Sequence, residues 1–188
     1  MQNRVPVPGP ISGHSFKIEG SGSRGVESKG MQKSETLGER NGLVVSVIAG
    51  PEDREAAYAV RLVVFVYEQQ VPLEEEMDHL DPVATHFIVR DPEQGVIATA
   101  RLVDKGHGLG KVGRVAVLKE HRGRGAGFLV MEGVEAYAVA VGFTELMLEA
   151  QVHAIPFYER LGYVAEGGVF LDCNIEHRLM RKSIGAAG

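Results

Sequence analysis

The run Arg122-Gly123-Arg124-Gly125-Ala126-Gly127 constrains this chain more than any other stretch, because it lies between the apolar segment Val115-Ala116-Val117-Leu118 and a periodic segment from Phe128 to Val141. A β-branched run, alternating glycines and then helical periodicity predict a strand, a tight turn and a helix start. Glycine lets such a turn aim its N–H groups to one side, and the helix adds the positive end of its dipole. The turn is a phosphate cradle.

Offsets exclude the two commonest cradles of this kind. A P-loop ends in Gly-Lys followed by Ser or Thr. Val112 follows the lysine of Gly106-His107-Gly108-Leu109-Gly110-Lys111, and the run at 122–127 has no lysine. A dinucleotide fingerprint needs a third glycine where Phe128 stands, and no early strand with a Gly-rich turn opens the domain. What remains is arginine with alternating glycines, a cation and amides suited to a pyrophosphate.

Composition is that of an ordinary soluble domain, with 188 residues, 44% hydrophobic and 24% charged. Charges interrupt every apolar run before it reaches the roughly 20 residues of a membrane-spanning helix. The single Cys173 leaves no intramolecular disulfide and no multi-cysteine zinc site, which suits a reducing, cytoplasmic setting. His14, His79, His86, His107, His121, His153 and His177 show no metal-ligand spacing, and no metal is expected.

Residues 1–42 carry Pro6, Pro8 and Pro10, eight glycines and six serines among few large apolar residues. That composition predicts a disordered N-terminal extension ahead of a domain at 43–188. The extension has no continuous apolar segment for a secretory signal, its glutamates count against a transit peptide, and Met31 offers an alternative start. Residues 43–188 hold fourteen Lys and Arg against twenty-one Asp and Glu, a net charge of −7. This acidity disfavours nucleic acid and favours cationic substrates.

Periodicity then orders the domain. Leu43 to Ile48 reads as a strand and Glu55 to Glu68 as a helix. Glu74, Glu75, Glu76, Asp78 and Asp81 crowd the interval from Pro72 to Pro82, for which a solvated loop is expected. Strands at His86 to Arg90, Val96 to Val103 and Lys111 to Leu118 make an antiparallel meander. After the cradle come a helix closed by Gly142, a strand at Leu146 to Leu148 and a short helix from Ala154 to Leu161. Strands around Val169 to Leu171 and Arg178 to Met180 finish the chain. A mixed α/β sheet covered by helices on both faces satisfies this pattern.

The residues also resemble a known family. Val115 to Gly127, followed by Ala154-Ile155-Pro156-Phe157-Tyr158-Glu159-Arg160-Leu161-Gly162-Tyr163, is similar to the GNAT N-acetyltransferases in motif and order, over residues 43 to 183. More narrowly, Val64 to Pro72, Glu75 to Asp78, His86, Gly113-Arg114-Val115 and Phe170 to His177 resemble the bacterial YjcF and ElaA branch. The resemblance implies the acyl-CoA N-acyltransferase fold, a mostly antiparallel mixed sheet, with acetyl-CoA as donor and a small primary amine as acceptor. It also allows a homodimer.

By position in the family, the amides of Gly123, Gly125, Ala126 and Gly127 take the CoA pyrophosphate, with charge from Arg122 and Arg124. For Arg124 the alternative is a solvated cation. The strand at Val115, Ala116 and Val117 splays from its parallel neighbour, so that the pantetheine arm lies in the gap beside Gln151 and Phe157. Gln151 stands where many members have asparagine. Tyr158 is the acid that protonates the departing thiolate, its alternative being a core tyrosine.

An amine that is protonated near neutrality needs a base. Many relatives have a glutamate at the place of Gly113, so Asp78 and His86 become the catalytic candidates, with Glu76 and His79 behind them. Glu76, Arg114 and His177 are candidates for acceptor binding. Cys173 is not a nucleophile, because direct transfer needs no acyl-enzyme. Two alternatives stand beside the acetyltransferase: a CoA-binding module without catalysis, and an acyltransferase with a longer donor.

Overall fold

Apolar residues on both sides of the central strands give one sheet with two faces to cover. The computed structural model describes residues 35–185. The chain runs β1 (Glu35–Arg40), β2 (Leu43–Val47), α1 (Pro51–Arg61), α2 (Leu73–Glu76), β3 (Thr85–Asp91), β4 (Gly95–Asp104) and β5 (Leu109–Val117), then α3 (Ala126–Ala140), β6 (Glu145–Gln151), α4 (Ile155–Arg160), β7 (Val164–Asp172) and β8 (Ile175–Ser183). The eight strands form a single sheet in the order β1-β2-β3-β4-β5-β6-β8-β7. Every pairing is antiparallel except β5 with β6.

Ala98, Ala100 and Leu102 of β4 pack with Leu129, Val130, Met131 and Val134 of α3 in the main core. Approach is so close that a Cβ on Gly133 of α3 would lie 2.6 Å from Val45 Cγ2, so glycine is required there. α4 shares this face, with Phe157 against Phe128 of α3 at 5.0 Å between ring centroids. On the opposite face Val60 and Val64 bury against Ala116. Helices therefore cover both faces, as expected from the sequence. No helix among the described residues is long and apolar enough to cross a membrane.

Three local expectations are corrected. The extension assigned to 1–42 ends in β1, which pairs with β2 through the turn at Asn41 and Gly42. This edge strand buries only Leu37 deeply, so it shows almost no alternation to read. Residues 1–34 lie outside the described residues. The helix expected to reach Glu68 is α-helical only to Arg61, and residues 62–68 widen into a π-helical turn. The last two strands, expected as three-residue pieces, are nine residues each. β7 is an edge strand and almost wholly exposed, so burial imposes no pattern on it.

Candidate active site

β5 and β6 start as neighbours, with Leu109, Gly110 and Lys111 opposite Glu145, Leu146 and Met147, and their pairing then stops. Beyond Lys111, β5 stays on β4 while β6 stays on β8. The strands part, and the facing edge of β5 loses its strand partner. A cleft of roughly 1720 Å³ occupies the opening. Gly123, Gly125 and Gly127 line one end; Glu76, Asp78, Arg114 and His177 line the other; Val115, Val117, Gln151, Phe157 and Tyr158 lie along it.

At the glycine end, Gly125 precedes α3 with a left-handed φ of 91° and no side-chain cap. The first helical bond runs from the Leu129 amide to the Gly125 carbonyl, so the amides of Ala126, Gly127 and Phe128 come before any i−4 acceptor. Those donors and the helix dipole suit an anion. Arg122 lines this end too, with its guanidinium donating to both oxygens of Glu68 at 2.6 and 2.7 Å and to the Val117 carbonyl at 3.0 Å. Arg124 is turned aside onto His121 Nδ1 at 3.3 Å and does not line the cleft. Ala116 and Ala126 are buried and do not line the cleft with their side chains.

In the middle, the Tyr158 ring meets Phe157 and Tyr163 edge-on at 4.9 and 6.0 Å. Burial raises its pKa well above that of an ordinary phenol, so it carries its proton throughout the neutral range. Gln151 exchanges hydrogen bonds with Gln69, which follows the π-helical turn. Its Nε2 donates at 2.8 Å and its Oε1 accepts at 3.4 Å.

The far end is built from charge, and here the expected solvated loop is corrected at two carboxylates: Glu74 and Glu75 are exposed, but Glu76 and Asp81 are buried. Arg61 of α1 is fully buried and donates to Glu76, and to Asp81 at 2.7 and 3.0 Å. Arg101 of β4 donates to Asp78 at 2.7 and 2.9 Å and to Asp81 at 2.8 Å. Arg114 of β5 reaches the Glu75 carbonyl at 2.7 Å, Glu76 at 3.0 Å and Asp78 at 3.1 Å. Three guanidinium groups thus fasten the segment after Pro72 onto the sheet. They leave Glu76 only 2% and Asp81 only 5% exposed.

A bulge makes the Arg114 contacts possible. Arg101 pairs with Gly113 and Thr99 with Ala116, so Arg114 and Val115 together oppose Ala100. Arg114 adopts a left-handed φ of 53°, which shifts the strand by one residue and keeps this side chain on the side of α2.

The same network disfavours both expected bases. Burial works to raise the Asp78 pKa, but hydrogen bonds and charge from Arg101, the Leu80 amide and Arg114 overcome it and bring the value down to about 2. A carboxylate so stabilised is a poor proton acceptor at neutral pH. His86 is 3% exposed, sits outside the cleft lining and meets the Asp81 carbonyl through Nε2 at 2.9 Å. Burial lowers its pKa, so it stays neutral and structural. His177 does line the cleft, with Nδ1 2.8 Å from the Ile175 carbonyl and its ring stacked on Phe170 at 6.1 Å. The tautomer that donates from Nδ1 leaves a lone pair on Nε2.

Sequence reasoning missed Arg61, Arg101 and Asp81, and the pairing of Arg122 with Glu68. Two of these had a signal. Arg61 follows Ala59-Val60 and precedes Leu62-Val63-Val64, and Arg101 stands between Ala100 and Leu102. A lone cation inside an apolar run is buried only with partners.

The model of the acetyltransferase (GNAT) family matches residues 52–163. The uncharacterized N-acetyltransferase YjcF of Bacillus subtilis is 42% identical over 140 residues, which span 73% of this chain and 98% of that protein. An acyl-CoA N-acyltransferase from Pseudomonas aeruginosa superposes with a TM-score of 0.67 at 31% identity, covering 75% of this chain and 99% of the other. Escherichia coli ElaA shares the fold, with a TM-score of 0.64 at 23% identity over 72% of this chain and 93% of its own.

Proposed function

The chain belongs to the GNAT acetyltransferase family, and from that premise we propose that it transfers acetyl from acetyl-CoA to the primary amine of a small molecule by direct attack in a ternary complex. The observation that carries this reading is the end of β5–β6 pairing after Lys111 and Met147. It opens an unpaired strand edge between the amides at the start of α3 and the Tyr158 phenol. A pantetheine arm, with its two amides, is suited to such an edge. The pyrophosphate is suited to the amides of Gly127 and its neighbours, with Arg122 exchanging Glu68 for phosphate.

In this mechanism His177 takes a proton from the acceptor ammonium through Nε2. The amine lone pair forms the C–N bond at the thioester carbonyl, the C–S bond breaks, and Tyr158 gives its proton to the departing sulfur. The nitrogen, now bearing an extra proton, returns one to Tyr158, and His177 releases its own to solvent. A β5 amide near Val115 would hold the developing oxyanion. Asp78 and Glu76 hold Arg114 and shape the acceptor wall, without touching the proton that moves. A reducing cytoplasm suits the lone Cys173.

Tyr158→Phe tests the reading with product mass spectrometry over a panel of amines and acyl-CoAs. The expected result is a fall in kcat of about 10²-fold or more with CoA affinity retained. Undiminished turnover would sink the role of Tyr158. A wild type that binds CoA and acetylates no amine would make it a CoA-binding module, and preference for a longer acyl-CoA would change the donor.

A further inference from the structure

On the reading that this cleft acetylates an amine, we infer that the acceptor also carries an oxyanion, a carboxylate or a phosphate, which binds in a recess over Gly113 walled by Arg101, Lys105 and Lys111.

Arg101 supplies the first observation. Its side chain is 6% exposed and lines the cleft. Both Nη atoms are engaged by Asp78 and Asp81, whereas the buried Nε has no hydrogen-bond partner among the described residues. A buried guanidinium N–H without an acceptor is a costly arrangement unless something fills the position.

Gly113 supplies the second, independent observation. It pairs directly with Arg101 across β4 and β5. A Cβ built on it would meet nothing within 4 Å, and its φ is not in the left-handed region. Neither crowding nor backbone geometry calls for glycine at this position. What the missing side chain leaves is space beside Arg101, inside the cleft wall.

The charge around that space favours an anion. Arg101, Val103 and Lys105 alternate along one side of β4 and its continuation, and Lys111 pairs with Val103. Within the buried network Arg61, Arg101 and Arg114 are matched by Glu76, Asp78 and Asp81, while Lys111 is held by Glu149 at 2.7 Å. Lys105 lines the same cleft, is exposed, and has no ion-pair partner among the described residues. It is the surplus positive charge at the recess. Acidic groups elsewhere on the wall, Glu74, Glu75 and Asp172, suit the ammonium end of the same molecule. The class is therefore a small zwitterion, an amine with a carboxylate or a phosphate.

The test compares acceptors that differ only in the oxyanion: β-alanine with ethylamine, and phosphoethanolamine with ethanolamine. Wild type is expected to favour the anionic member of one pair by about tenfold or more in kcat/KM, as a charge-assisted hydrogen bond requires. The pair that discriminates identifies carboxylate or phosphate. Gly113→Glu places a carboxylate opposite Arg101 and should collapse that ratio, and Lys105→Gln should narrow it, each with an unchanged KM for acetyl-CoA. Equal use of both members of both pairs overturns the recess while leaving the transferase intact. Calorimetry with β-alanine and phosphoethanolamine, without donor, reads the recess apart from turnover. Binding that Gly113→Glu abolishes supports it even if no amine is acetylated, and no binding of either probe to wild type overturns it.

Discussion

The two ends of the cleft offer different means of recognition. The glycine end offers main-chain amides from one continuous stretch, Gly123 to Phe128, that leads into the first turn of α3. The opposite end uses side chains from α1, α2, the loop after it, β4 and β5, locked by Arg61, Arg101 and Arg114. A main-chain site varies little with side-chain identity and suits a ligand common to many enzymes. A side-chain site can be rebuilt one residue at a time, and suits the ligand that differs between them.

The sharpest way to break this comparison is Arg61→Leu. The change leaves Glu76 and Asp81 buried without that cation, and loss of one partner in a buried charge network costs about 3–5 kcal/mol. The urea midpoint should fall accordingly, while molecules that remain folded keep their CoA affinity. A small shift in the midpoint would show the network to be dispensable. At the other end, Gly125→Val forces a branched side chain into a left-handed φ of 91°, a strain of about 1–2 kcal/mol. CoA should bind about tenfold more weakly, as measured by calorimetry, with the acceptor KM unmoved. Equal damage to donor and acceptor would erase the distinction between the ends.

The smallest effect is a dependence on pH. Burial holds the folded-state pKa of His86 below its ordinary 6.5. The unfolded chain therefore takes up the proton first, and stability falls as pH drops through 6.5. Asp78, held down to about 2, adds its own loss only below its unfolded value of 3.8. Urea midpoints on both sides of pH 6.5 should show a slope that flattens in His86→Gln. A slope that persists there would assign the titration to another group.

Much of the fold is visible in periodicity, because each strand that packs on both sides carries its own pattern. β3, β4, β5 and α3 fall within a few residues of their expected bounds. β1 and β7 do not, since edge strands with little burial leave almost no trace in the order of residues. The π-helical turn at 62–68 hides for a different reason: Leu62-Val63-Val64-Phe65-Val66 is apolar enough to satisfy a helix of either period. At the site, the placing of Tyr158 and the glycines along one cleft is legible because their setting is local. The surroundings of Asp78 and His86, which count against a base, are not legible, since ionisable residues look alike until their partners are known.

What the sequence determined alone is the glycine turn that opens α3. Glycine spacing, a preceding strand and a following helix are all set within one short stretch, so the order of residues already specifies where the amides point. Only the tertiary structure decided the acceptor end. Whether Asp78 is a base or a locked counter-ion depends on Arg101 and Arg114, which are 23 and 36 residues away along the chain. Coulomb forces and desolvation act through space, and only the folded sheet brings those charges within reach of one another.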